Sequence, residues 1–513
     1  MGGISVQRRL VKNIWLVVAL CLGSALSAGG QPATAGSQSA DPMKSVLTQM
    51  EQLRLALNDV RDQLAESRRE GRELRQELQS VKEQLNSIRA ISTKPVSGNV
   101  VDAKTIDRVA ALAEEQELLA AKVEDQYQTK VESGSKYRVR LSGLALLNVV
   151  STNGAVDNLD VPGIARPKNP QDSNGSFGAT LRQSLVSLEV TGPNWRGART
   201  SGDLSFDFFG GFPATSGGIT SGLVRLRTAK LLMDWPNTSV VMGQEAPFFS
   251  PLSPTSLAST AYPALSSAGN IWAWTPQVRV ERRVAVSEAS KVVMRFGILA
   301  PLSGESPAAE YNWMPAAGER SRVPAYATRF AWQHTVGDRV ATLGAGAYYS
   351  RQNWGFGRTV DSWAATADWD IPLGKWFALS GEAYRGRAIG GLGAGASGSV
   401  LFRGVPALSS SSVLALNSAG GWAQLKFKPL ERMEFNGAFG EDYPFRQGLR
   451  PLLLSRSIEG SPASRNASGF LNVIYQARSN LLFSIEYRRL WTSSFYDPKQ
   501  TADHISISSG ILF

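Results

Sequence analysis

The carboxy-terminal sequence HISISSGILF, residues 504–513, decides the fold class. Ile505, Ile507, Ile511 and Phe513 share one face of a strand with a period of two, and small or polar residues occupy the other face. This pattern, ending in an aromatic residue, is typical of the closing strand of a transmembrane β-barrel, which has lipid outside and water inside. A half-buried strand of a soluble sheet would look similar, so the interpretation depends on the rest of the chain.

The same alternation recurs from Tyr137 to the end of the chain. It predicts sixteen strands, over 137–149, 179–191, 201–209, 222–233, 239–245, 276–286, 291–299, 324–334, 339–349, 361–371, 377–387, 419–428, 433–440, 467–477, 481–491 and 504–513. Their connections alternate between short turns and mostly long loops, as in an up-and-down barrel with its short turns in the periplasm. We therefore predict an all-β transmembrane barrel of about 16 antiparallel strands over residues 137–513, wide enough for an aqueous channel.

The amino-terminal region predicts export. Within residues 1–28, basic residues precede the apolar run 14–26, which is the layout of a cleaved secretory signal peptide. The sole cysteine, Cys21, lies in this run, so cleavage leaves a chain without disulfides; a lipid anchor at Cys21 is the rival interpretation. Residues 29–42 predict a flexible spacer.

Residues 43–90 carry a heptad pattern of apolar residues that predicts an α-helical coiled coil. A narrow apolar seam must be buried against another helix, so the pattern indicates self-association as a periplasmic stalk. A helix packed along its own barrel is the alternative, and the heptads leave two and three strands open. Residues 91–136 predict a linker and a second helical segment, because Pro95 and Gly98 interrupt the first helix.

The formal charge of +11 falls mainly on residues 137–513, which carry +10. No basic helix or RNA-binding signature accompanies this charge, so we expect no nucleic-acid partner. A charge facing lipid costs about 2–4 kcal/mol at the bilayer centre, so arginines in the strands are expected to face the lumen. The predicted pore-lining residues are Arg182, Arg225, Arg227, Arg279, Arg283, Arg295 and Arg329.

Rings of arginine favour anions in a pore. The inward carboxylates are expected to cluster elsewhere, at Asp203, Asp207, Asp368, Glu382, Glu434 and Glu486. In the alternative interpretation, arginines and carboxylates pair along the lumen wall and support the barrel.

The connection 246–275 is long and contains no charged residue. It is the third long loop, which in general porins folds into the barrel and narrows it. We predict that its aromatic residues Phe248, Phe249, Trp272 and Trp274 form an uncharged constriction wall opposite the arginines.

Motifs for catalysis and metal binding are absent from the sequence. The two histidines, His334 and His504, lack metal-ligand spacing, and no nucleophile elbow or phosphate-binding loop appears in its structural context. We therefore expect neither an enzyme nor a bound cofactor or metal.

The chain resembles the DcaP-like porins of Gram-negative outer membranes. The segments that carry the resemblance are LRQSLVSLEV (181–190), LVRLRTAKLLM (223–233), VVMGQEAPFF (240–249), TPQVRVERR (275–283), GGWAQLKF (420–427), FNGAFGEDYP (435–444) and NVIYQARSNLLFSIEYRRLW (472–491). The resemblance implies a trimer of sixteen-stranded barrels with a periplasmic coiled coil, and passive uptake of small anions such as dicarboxylates. It also implies pore-wall arginines, which Arg182, Arg225, Arg227, Arg279 and Arg283 match.

The leading hypothesis is a homotrimeric porin in the outer membrane, surrounded by lipid and open to small anionic solutes. A phosphate-selective porin is the nearest alternative. An envelope tether, in which residues 43–90 bind the cell wall and the barrel is an anchor, belongs to a different class, as does a secreted or periplasmic adhesin.

Overall fold

The computed structural model describes residues 138–171, 173–212, 222–305, 313–395, 398–445, 463–495 and 498–513. They belong to one compact unit, Ala120–Phe513. The signal peptide, the spacer, the coiled coil and the second helical segment predicted within residues 1–136 lie outside the described residues, so they remain predictions.

Nineteen strands are described, numbered β1 to β19 along the chain. They are β1 Arg138–Asn153, β2 Gly175–Thr180, β3 Leu185–Thr191, β4 Arg199–Asp207, β5 Arg225–Asp234, β6 Thr238–Glu245, β7 Thr275–Ala285, β8 Ser290–Leu299, β9 Ala325–Val336, β10 Arg339–Asn353, β11 Thr359–Leu373, β12 Phe377–Arg387, β13 Val400–Arg403, β14 Ser412–Ala415, β15 Asn417–Leu430, β16 Met433–Pro444, β17 Ala463–Arg478, β18 Leu481–Ser494 and β19 Gln500–Leu512. Two short 3₁₀ turns cover Glu319–Ser321 and Gly390–Leu392. No helix among the described residues has the length and apolar character needed to cross a membrane.

Seventeen strands form one antiparallel sheet that closes on itself. Closure is made by β1 and β19, which pair from Leu144 opposite Leu512 to Asn153 opposite Asp503. Strands β2 and β3 both pair with β1, so they are two halves of one barrel strand. The predicted barrel of sixteen antiparallel strands is therefore confirmed.

Two details differ from the sequence prediction. The second barrel strand is not continuous, because Leu181–Ser184 leave the ladder between β2 and β3; there the Ser184 hydroxyl accepts the N–H of Leu146 at 2.9 Å in place of a backbone partner. The connection 388–418 is not a plain loop, since it contains the hairpin of β13 and β14. A side chain that replaces a backbone hydrogen-bond partner does not change the alternation of apolar and polar residues. A short hairpin within a long loop does not change it either, so the sequence pattern predicts neither feature.

The strands alternate between an outer and a lumen face. In β7, Val278 and Val280 are exposed on the outside (42% and 45%), whereas the intervening Arg279 points inward and is largely buried. Arg282 is on the outer face, but it lies at the short-turn end of the strand rather than near its middle, and donates to the Thr238 hydroxyl at 2.7 Å. An arginine at this level reaches the membrane surface, where a charge costs little.

Candidate functional site

The connection between β6 and β7, residues 246–274, lies inside the barrel and is called the inner loop below. Thr366 of β11 donates to a loop carbonyl at 2.6 Å, Gln424 of β15 accepts from a loop N–H at 2.6 Å, and Asn466 of β17 donates to another loop carbonyl at 2.6 Å. The inner loop therefore follows the lumen wall over several strands.

Two buried carboxylates fasten the inner loop. Glu382 accepts the Ser250 hydroxyl and the Leu252 N–H, both at 2.7 Å. Glu486 accepts the Ser256 hydroxyl at 2.5 Å. A hydrogen bond within a protein contributes about 0.5–1.5 kcal/mol to stability. These two inward carboxylates thus position the loop.

Glycines on the wall let the inner loop approach closely. A Cβ atom on Gly440 of β16 would lie 2.2 Å from the carbonyl oxygen of Ala268, and one on Gly346 of β10 would lie 2.6 Å from that of Phe249. Real Cβ contacts do not reach such distances, so any larger residue would displace the loop toward the lumen. These two glycines therefore help to determine how close the inner loop lies to the wall.

The aromatic residues of the inner loop have two different roles. Phe248 and Phe249 are 2% and 0% exposed, and Phe249 stacks on Tyr348 at 5.2 Å, so they pack between loop and wall instead of facing open lumen. Trp272 and Trp274 are partly exposed and contact each other edge to face at 5.4 Å. Of the four aromatic residues predicted for the constriction, the two tryptophans are the ones placed at the loop surface.

Each predicted arginine contacts a carboxylate. The ion pairs are Arg182 with Asp160 (2.6 Å), Arg225 with Asp207 (2.6 Å), Arg227 with Asp207 (3.6 Å), Arg279 with Glu245, Arg283 with Asp234 (2.7 Å) and Glu281 (3.2 Å), Arg295 with Glu281 (2.6 Å), and Arg329 with Asp368 (2.5 Å). Six carboxylates therefore serve seven arginines.

The expected separation of arginines from inward carboxylates is wrong at two positions. Asp207 lies directly opposite Arg225 in the pairing of β4 with β5. Asp368 of β11 reaches Arg329 of β9 across Gly344 of β10, where any Cβ would lie 2.3 Å from the carboxylate oxygen. The lumen wall thus has interleaved charges, as the alternative interpretation of the arginines expected.

Aromatic rings flank the arginines at the end of the barrel with long loops. Arg182, in the break between β2 and β3, lies over Phe209 at 4.1 Å. Arg225 lies 4.7 Å from the ring of Tyr262, which belongs to the inner loop. A guanidinium over an aromatic face gains about 0.5–2 kcal/mol and is held in one orientation. The inner loop and the arginine wall therefore meet at this point.

Sequence reasoning missed several partners. Asp160 and Tyr262 lie in long connections, whose path no local pattern specifies. The pair Asp207 and Arg225 could have been found, because both lie nine residues from position 216, near the centre of the loop that joins their strands. Antiparallel strands joined by a hairpin bring such symmetric positions together.

Among the residues that the structure describes, no group of three or more His, Cys, Asp or Glu side chains could hold a metal ion.

Comparisons with known proteins give matches only among solved structures. No protein-family model matches this chain, and no curated protein matches it. The outer membrane channel DcaP of Acinetobacter baumannii is 14% identical, with a TM-score of 0.55, covering 74% of this chain and 99% of that one.

Two further structures align over a similar length. The anion-selective porin from Comamonas acidovorans is 10% identical with a TM-score of 0.46, over 74% of this chain and 100% of that one. Pseudomonas putida OprB is 10% identical with a TM-score of 0.42, over 74% of this chain and 94% of that one. Of these three structures, DcaP is similar enough to carry a conclusion about architecture. The resemblance to the DcaP-like porins drawn from the sequence is confirmed at the level of the fold, and the described residues form a porin-type barrel.

Proposed function

We propose that this protein is an outer-membrane porin, a passive diffusion channel for small anionic solutes such as dicarboxylates. The observation that carries the proposal is the lumen wall, where seven arginines are served by six carboxylates. A barrel of sixteen strands is wide enough to leave an aqueous channel between wall and inner loop. An excess of positive charge in such a space raises the local concentration of anions.

The proposed mechanism is weak binding followed by release, without a cofactor or an energy source. A guanidinium has five N–H donors, so an arginine that gives two of them to a carboxylate keeps others for a passing anion. Arg295, whose side chain is 22% exposed, donates its Nε–H to Glu281 at 2.6 Å, and its terminal nitrogens donate to no described residue. The flanking carboxylates limit the binding strength, which lets the anion leave again.

The proposal includes a homotrimer of barrels in the outer membrane. The predicted coiled coil over residues 43–90 would hold three barrels together in the periplasm. The apolar outer face of the strands, with Val278 and Phe296 among its exposed residues, fits a lipid environment.

Single-channel recording in a planar bilayer tests the proposal. In a KCl gradient we expect a reversal potential with the sign of the chloride equilibrium potential. We also expect conductance steps that occur in threes. Migration that changes on heating would show beforehand that the barrel is folded. A reversal potential of the potassium sign would refute anion selectivity. Folded protein without any channel would favour the tether, in which residues 43–90 bind the cell wall.

A further inference from the structure

Strand β5 contains an extra residue at Arg227. In the pairing of β4 with β5, Phe206 lies opposite Leu226 but Ser205 lies opposite Thr228, so Arg227 has no partner position. This is a β-bulge, which re-aims a side chain and occurs often beside functional sites. Leu226 remains on the outer face at 43% exposure, while the guanidinium of Arg227 reaches the lumen-side carboxylate. The bulge thus adds a second arginine to the wall beside the first.

The carboxylate that both arginines share is already engaged. Arg225 donates to both oxygens of Asp207, from Nε at 3.0 Å and from a terminal nitrogen at 2.6 Å. Arg227 reaches the same carboxylate only at 3.6 Å, too far for a good hydrogen bond. Its Nε is buried and has no hydrogen-bond partner among the described residues. The Nε–H is closed to a ligand, but the terminal nitrogens of Arg227 also donate to no described residue, so they remain available to an anion.

The other predicted arginines belong to groups whose charges balance. Arg199, which also contacts Asp234, is 81% exposed on a short turn and therefore largely screened by water. The balanced groups are Arg182 with Asp160, Arg329 with Asp368, Arg283 and Arg295 with Asp234 and Glu281, and Arg279 and Lys230 with Glu245 and Asp203. Among these clusters, Arg225 and Arg227 with their single aspartate keep one unbalanced positive charge.

The inner loop holds this surplus charge in place. The indole of Trp274 lies 4.8 Å from the guanidinium of Arg227 and 5.2 Å from that of Arg225. Stacking on a loop residue fixes Arg227 where loop and wall meet, with 14% of its side chain exposed. An anion passing between loop and wall would meet an oriented, incompletely paired guanidinium at this point.

We propose that Arg227 is the centre of an anion subsite that takes one small monovalent anion, a halide or a simple carboxylate, and accounts for most of the channel's preference for anions. This inference rests on the proposed function, since it assigns that selectivity to one side chain. A single surplus charge matches a single negative charge, and the terminal N–H groups of Arg227, which donate to no described residue, supply directed donors.

The test compares the anion-to-cation permeability ratio of matched variants in a KCl gradient. One unit charge about 6 Å from an ion in water changes the local concentration about threefold, upward for an anion and downward for a cation. We therefore expect Arg227→Gln to lower the anion-to-cation ratio about tenfold. Arg227→Lys should keep most of the preference, because it keeps the charge. Arg465→Gln should leave the ratio unchanged; it also removes one positive charge, but from an outer-face residue paired with Glu441.

If Arg227→Gln does not fold in sufficient yield, a second variant tests the same proposal by chemical modification. The only cysteine is Cys21, within the predicted signal peptide, so Arg227→Cys would give a unique thiol. Modification with a cationic thiol reagent should restore the anion preference, and a neutral reagent of similar size should not. A wild-type channel without anion preference would defeat the proposed function itself. An anion-selective wild type whose ratio survives in Arg227→Gln, or is restored equally by both reagents, would defeat only the subsite.

Discussion

Replacing Arg329 by methionine is expected to destabilise the barrel by about 3–5 kcal/mol, the usual cost of removing one partner from a buried ion pair. Arg329 donates to both oxygens of Asp368 at 2.9 and 2.5 Å, and the two side chains are only 4% and 1% exposed. The variant would leave Asp368 as a buried charge without its partner. A guanidinium chloride titration of the folded barrel in detergent, followed by tryptophan fluorescence, measures the difference.

Two comparison variants distinguish the effect of burying an ion pair from the effect of removing one charge. Arg465→Gln breaks the exposed pair with Glu441 and is expected to cost no more than about 1 kcal/mol. The double variant Arg329→Met with Asp368→Leu removes both buried charges and should recover much of the lost stability. Equal unfolding midpoints for Arg329→Met and Arg465→Gln would mean that water reaches the Arg329 pair.

Replacing Glu382 by alanine is expected to loosen the inner loop and raise both the conductance and its fluctuations. The carboxyl group accepts from Ser250 and from the N–H of Leu252, both at 2.7 Å, so its removal withdraws two hydrogen bonds, about 1–3 kcal/mol of anchoring in total. The loop would then sample positions away from the wall. Single-channel recordings at fixed KCl concentration report the mean current and its noise.

The matched control is Glu441→Ala, which removes a carboxylate from the outer face of β16. It should leave the current trace as in the wild type, because no residue of the inner loop contacts Glu441 in the described structure. If Glu382→Ala gives the same quiet trace, the remaining contacts, including Glu486 with Ser256, suffice to hold the loop.

The strands could be predicted because lipid and water impose opposite demands on alternate residues. In β7 that rule alone places Val278 outside and Arg279 inside, and the structure agrees. The rule acts on one strand at a time, so it does not give the distance between side chains on neighbouring strands. For that reason the partner of Arg329 came only from the structure.

The bulge at Arg227 was beyond the sequence pattern for a related reason. The run 223–233 alternates correctly on either side of the bulge, and one extra residue shifts the phase without changing the composition. The path of the inner loop was also out of reach, since it is fixed by residues distant in the sequence, such as Glu382 and Gly440, each contributing one or two contacts. Local sequence patterns predict which side chains are exposed. They do not predict the contacts between distant residues that form the candidate site.

The seam between β1 and β19 has a consequence for how the protein is made. The hydrogen bond between Thr152 and His504, at 2.8 Å, joins residues 352 positions apart in the chain. During synthesis β1 is produced long before β19, the strand that closes the barrel against it. Throughout that interval β1 carries a free edge, the kind of edge that recruits foreign strands and promotes aggregation. During biogenesis of this barrel, β19 therefore competes with every other strand that could pair with the β1 edge first.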